Sequence, residues 1–98
     1  MLYHVTWEFI DATEDSERRH VAVFAQWTPP AEANFQAFYN HANYSGGVAI
    51  VEVDDTTTLA RTMAPWLPWL RFTATPIVPV QQSIAMRAEA IAFRDSVS

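Results

Sequence analysis

With 98 residues, half of them apolar and four of them Trp, the chain has material for one hydrophobic core and not for two. Eleven acids against six arginines and no lysine leave a formal net charge of −5, with the arginines scattered as Arg18-Arg19, Arg61, Arg71, Arg87 and Arg94. Without clustered positive charge to displace counterions, nucleic acid and anionic membrane surfaces are excluded as expected partners.

Leu2 to Phe9 alternates, with Tyr3, Val5, Trp7 and Phe9 on one side and His4, Thr6 and Glu8 on the other, which is the period of a strand with one apolar face. Asp11 to Ser16 reads as a loop, and Asp15 or Ser16 is expected to start a helix running to about Gln26, with Val21, Phe24 and Ala25 on its buried side. Pro29-Pro30 closes that segment. Phe35 to His41 is a second strand. Asn43 to Gly47 reads as a hairpin turn in which the glycines supply positive φ. Val48 to Val53 follows as a nearly continuous apolar run, the mark of a strand covered on both faces.

Asp54-Asp55-Thr56 is expected to cap a second helix bearing Leu59, Met63 and Trp66 at i, i+4 and i+7. Phe72 to Val80 is the last strand, and Pro76 and Pro79 confine it to an edge or end it near Pro76. Gln82 to Val97 is a terminal helix. The order β-α-β, β-α-β, helix gives an α+β class with a ferredoxin-like four-stranded antiparallel sheet, two helices on one face and a C-terminal helix. Residues 1–80 are expected to form this domain, with 81–98 at a dimer interface.

The open face of the sheet carries the functional expectation. Val48, Ala49, Ile50, Val51 and Val53 are apolar on both sides, so one row would lie in water unless something covers it. Face-to-face pairing of two copies would close a dimeric barrel and enclose an apolar cavity per subunit, the composition of a small-molecule site. The terminal helix has Ile84 and Ile91 on one side and Met86, Phe93 and Val97 nearly opposite, as in a helix gripped between its own subunit and a partner.

The opening Tyr-x-Val-x-aromatic strand, Pro29-Pro30, Gly46-Gly47-Val48-Ala49-Ile50-Val51-Glu52, the Asp54-Asp55 cap and Thr75-Pro76-Ile77 together resemble a small bacterial family of unknown function in the dimeric α/β barrel superfamily. The resemblance covers roughly residues 1–80. It implies the dimeric barrel, and a superfamily of cofactor-independent monooxygenases, isomerases, polyketide cyclases, haem enzymes and proteins without known activity. That family usually ends its second strand in Trp-His; here the stretch is Tyr39-Asn40-His41, so either Asn40 replaces the Trp before His41 or the register differs by one.

Among the residues themselves, His4 and His41 are the candidate proton-transfer groups, and His20 is expected at the surface. Glu8 and Glu52 would exchange protons if desolvated. Thr6, Thr73, Thr75, Tyr39, Asn40 and Trp69 are expected to line or orient a ligand, and Trp66 to belong to the core. No metal-ligand spacing, phosphate loop or nucleophile elbow occurs, and no cofactor is expected. The absence of Cys excludes disulfides and thiol nucleophiles. No run approaches the ~20 apolar residues of a membrane span and Met1-Leu2-Tyr3-His4 lacks the features of a leader, so a cytoplasmic location is expected. The expected function is binding of a small apolar or aromatic molecule by a homodimer, with oxygenation, isomerisation or cyclisation as the chemistry. The alternatives are a non-catalytic ligand-binding protein and a protein-interaction module.

Overall fold

A computed structural model describes residues 1–10 and 12–97; Asp11 of the expected loop and Ser98 at the chain end lie outside them. The order is β1 (Leu2–Phe9), α1 (Glu14–Gln26), β2 (Asn34–Asn40), β3 (Gly46–Glu52), α2 (Thr56–Met63) continued by a 3-10 turn (Ala64–Trp66), β4 (Leu70–Ile77) and α3 (Val80–Ser96). The strands form one sheet in the order β2-β3-β1-β4, every neighbouring pair antiparallel. This is the ferredoxin-like arrangement. β4 is an edge, which tolerates Pro76 opposite Tyr3, and it ends one residue later.

The alternation of β1 survives intact: Tyr3, Val5 and Trp7 are buried, joined by Ala49, Val51 and Val53 of β3 and its exit, and by Leu59, Trp66 and Leu70. Leu59 and Trp66 come from the stripe that also carries half-buried Met63, as its spacing predicts. The Asp55 carboxylate caps α2 by accepting the Thr58 N–H at 2.8 Å. That bond is the leading reason its carboxyl lies below the usual range. α1 is capped earlier than expected: the Thr13 hydroxyl accepts from the Ser16 N–H at 3.3 Å, so Asp15 and Ser16 sit inside the helix. Glu14, Asp15 and Glu17 then fall in the first turn, where the helix dipole favours acids.

The β2–β3 hairpin corrects one expectation. Neither glycine has positive φ; the left-handed residue is Tyr44, at φ 60°. Gly46 and Gly47 lie inside β3 and are buried, because the neighbouring strands leave no space for a Cβ. At Gly46 that atom would collide with the Trp7 carbonyl, and at Gly47 with the Trp7 indole and, at 2.5 Å, the Tyr39 carbonyl oxygen. The glycines serve close approach and not turn conformation.

Neither apolar stripe of α3 is buried against its own domain: none of its residues is buried, and Val80, Ile84, Met86, Ile91 and Phe93 are more than half exposed. Its lead-in, Val78-Pro79, is extended at Pro79 and carries the helix off the body, stretching the molecule to 63 × 28 × 19 Å. With its apolar residues divided between opposite sides, α3 offers its own domain no single wide stripe.

Gly46→Ala should destabilise the fold by about 1–3 kcal/mol or more, the range of overpacking a tight site, as measured by urea unfolding. Tyr44→Asn should be neutral or mildly stabilising, because Asn tolerates the left-handed conformation. Equal, small effects at the two positions would contradict the assignment of glycine to close approach.

Candidate functional site

The helix-facing side of the sheet is crowded with rings, and those rings hold α1 away from it. No residue of α1 is buried. Between helix and sheet, Trp27 meets Trp66 edge-on at 5.1 Å, Phe24 meets Trp66 at 5.6 Å, and Phe35 stacks on Phe38 at 5.0 Å. Trp7 reaches up from β1 to Phe38 at 5.7 Å. The rings of Phe24, Trp27 and Trp66 meet edge-on or tilted, and the space between them is not closed by other side chains. What remains is a largely apolar cavity of about 330 Å³ between α1, α2 and the sheet. Its floor is Val5, Ala49 and Val51, and its walls include Phe24, Trp27 and Trp66. The volume falls at the lower end of the ~300–1,000 Å³ typical of small-molecule sites.

Few polar side chains enter. Thr62 lines the cavity, but its hydroxyl already donates to the Thr58 carbonyl at 2.8 Å. Asn40 stands at the end of β2. The one titratable side chain among the described lining residues is His20. Its ring lies 5.5 Å from Phe9 and 5.4 Å from both Trp66 and Trp69, edge-on to Phe9 and Trp66. Neither ring nitrogen has a hydrogen-bond partner among the described residues, although both retain access to the cavity or solvent. Partial burial disfavours the charged imidazolium and moves the pKa below its ordinary 6.5. At neutral pH His20 is therefore a neutral imidazole with an available lone pair.

This corrects the expectation of a surface His20. The signal was present: His20, Phe24 and Trp27 are spaced i, i+4 and i+7, the spacing of one helix face. The aromatic half of that pattern supplies the cavity wall and the His supplies its polar contact. Of the expected buried side of α1, Val21 and Phe24 reach the cavity mouth, whereas Ala25 is exposed.

The residues expected to carry chemistry divide between the two faces. Asn40 is on the cavity side, and Trp69 packs against His20 and against Trp66 at 6.4 Å. His4, Thr6, Glu8, Thr73 and Thr75 lie on the open face, with His4 opposite Thr75 and Thr6 opposite Thr73. Tyr39 pairs with Val48 across the β2–β3 ladder and is exposed. Glu52 is at the far end of β3, its carboxylate 3.0 Å from the Met1 amino group.

Thr6, Glu8, His41 and Thr73 converge around a shallow, more polar hollow of about 350 Å³ that Ser45 and Arg71 complete. There His41 Nδ1 is 3.1 Å from Ser45 Oγ, and Arg71 lies 3.4 Å from Glu8. His4 is not part of that hollow. No group of three or more His, Asp or Glu among the described residues is arranged to hold a metal ion. No helix of the described residues is long and apolar enough to cross a membrane.

Comparison with known proteins adds a family and no activity. No curated protein and no solved structure matches the chain. Residues 1–91 match a domain of unknown function, DUF3303, and this match takes in all four strands, α1, α2 and most of α3. On that coverage the chain belongs to the DUF3303 family.

Proposed function

We propose that the protein binds a small, planar, largely apolar molecule in the cavity between α1, α2 and the sheet, with His20 as its single proton-accepting contact. The observation that carries this reading is an imidazole without a hydrogen-bond partner among the described residues, placed among aromatic walls. The ring nitrogens have no partner among the described residues, so a ligand hydroxyl or acidic C–H directed at His20 would take the place of the water that otherwise meets them. The rings favour a flat partner, which gains offset and edge-on contacts on several sides.

The chemistry that suits such a site begins with loss of a proton. Oxygenation without a cofactor, isomerisation through an enol and cyclisation of a carbonyl compound all require a base near neutral pH. His20 supplies one, and the apolar surroundings disfavour its protonated form until a substrate carbanion or phenolate stands beside it. The superfamily kinship suggested by the strand motifs is compatible with all three reactions. A second reading places chemistry on the open face, where Thr6, Glu8, His41 and Thr73 share one hollow, with His4 and Thr75 farther along the same strands. The His41–Ser45 contact favours it; the exposure of Glu8 and Arg71, which leaves their charges in water, weighs against it.

Three outcomes follow. 2-Naphthol should bind and quench Trp fluorescence, and Ala49→Leu, which fills the cavity from its floor, should weaken binding at least tenfold; undiminished binding would move the site elsewhere. The lowered His20 pKa means the unfolded chain takes up a proton more readily than the folded one. Stability from this group is therefore complete above pH 6.5 and declines as pH falls below it. His20→Gln should flatten the dependence of urea midpoint on pH between pH 8 and 5, and an unchanged slope would contradict the burial argument. For catalysis, 2-tetralone should exchange its acidic C–H protons in D₂O faster with the protein than without, and His20→Gln should lose the acceleration while still binding. Binding without acceleration would leave a carrier or sensor.

A further inference from the structure

We propose, independently of what the cavity binds, that α3 is an exchanged arm: the helix of one chain lies across the open sheet face of a second copy, which returns its own. Two features of the same chain lack a cover. The first is α3, whose Val80, Ile84, Met86, Ile91 and Phe93, with Val97 just beyond, are each 51–70% exposed. The second is the open face. There the register sets Tyr39 beside Val48, Ile50 one row on, and Leu2 beside Ile77 in the row after that. These residues form an apolar band running diagonally over all four strands.

The dimensions agree. Three strand spacings and four residues of rise give the band a length of about 19 Å. Val80 to Ile91, or Met86 to Val97, spans about 16 Å of helix, within a total helix length of about 25 Å. An apolar band across an otherwise polar sheet face is wide enough to seat one helix, and each chain brings one helix more than its own sheet uses. The chain's own α3 is carried away from the sheet by the extended Val78-Pro79 lead-in.

Reciprocity favours a second copy over an unrelated partner. In a two-fold exchange every chain contributes both an arm and an acceptor face, so each contact occurs twice. With one stripe on the partner's sheet and the other turned toward the two-fold axis, six large apolar side chains and a five-residue band on each chain approach the ~800 Å² per partner of a stable interface.

The test uses the full chain and its lack of Cys. Light scattering at micromolar concentration should give twice the 11.1 kDa of one chain. Ile50→Cys and Ile84→Cys, or Ile50→Cys and Phe93→Cys, are then prepared as separate single variants, mixed, exchanged and oxidised. A disulfide joining Ile50→Cys of one chain to an arm variant of another, from either stripe, supports the exchange. A monomeric wild type overturns it. So does Ile50→Cys linking only to itself, which means sheet on sheet, or an arm variant linking only to itself, which means helix on helix. Absence of any link from a dimer with native circular dichroism also overturns it.

Discussion

The distance between α1 and the sheet is set by rings. Trp27, Trp66, Phe24 and Phe38 meet edge-on or tilted, and none can be compressed into the irregular remainder of the space as a Leu or Met could. A protein interior normally closes such gaps to crystal-like density. Here the layer that should seal the helix to the sheet stands as a set of props, and no residue of α1 becomes fully buried. The fold is held instead by the antiparallel ladder and by the compact cluster under α2, where Leu59 and Trp66 meet Val5, Ala49 and Val51. The same core residues that pack beneath α2 also floor the cavity, so the domain is closed under α2 and open under α1.

The position of His20 has meaning only against that division. On α2, polar atoms are used up: Thr62, although it lines the cavity, donates to the backbone of its own helix, and Asp55 is committed to the Thr58 amide. On the open side of the sheet, Glu8 faces Arg71 and Glu52 faces the Met1 amino group, pairs exposed enough for water to screen them. His20 has neither arrangement. Its neighbours are faces and edges of rings, which lower its proton affinity without satisfying its nitrogens.

Much of this architecture was legible in the residues. The alternation of β1, the apolar run of β3, the Asp55 cap and the Leu59–Met63–Trp66 stripe each name their element, because period, propensity and capping agree there. What was not legible depended on neighbours distant in sequence. Gly46-Gly47 looks like turn chemistry until Trp7 of β1 is placed against it, and only then does the missing Cβ acquire its reason. His20 looks like a solvated helix residue between Arg19 and Val21 until the bulk of Trp66 and Trp69 is known to lie over it. The apolar cavity on the helix side of the sheet is not foreseen in the sequence, because ring size, which composition reveals, creates voids at places that only packing decides. The open face received the expected polar residues but gathers just four of them, Thr6, Glu8, His41 and Thr73, around one hollow.

Isotope-filtered nuclear Overhauser spectroscopy of the labelled protein with unlabelled 2-naphthol tests most directly whether an aromatic molecule sits beside His20. Cross-peaks from the naphthol ring to the His20 imidazole and to the Trp27 and Trp66 indoles are the predicted result. Cross-peaks confined to His41, Thr6 and Thr73 on the opposite face would contradict it.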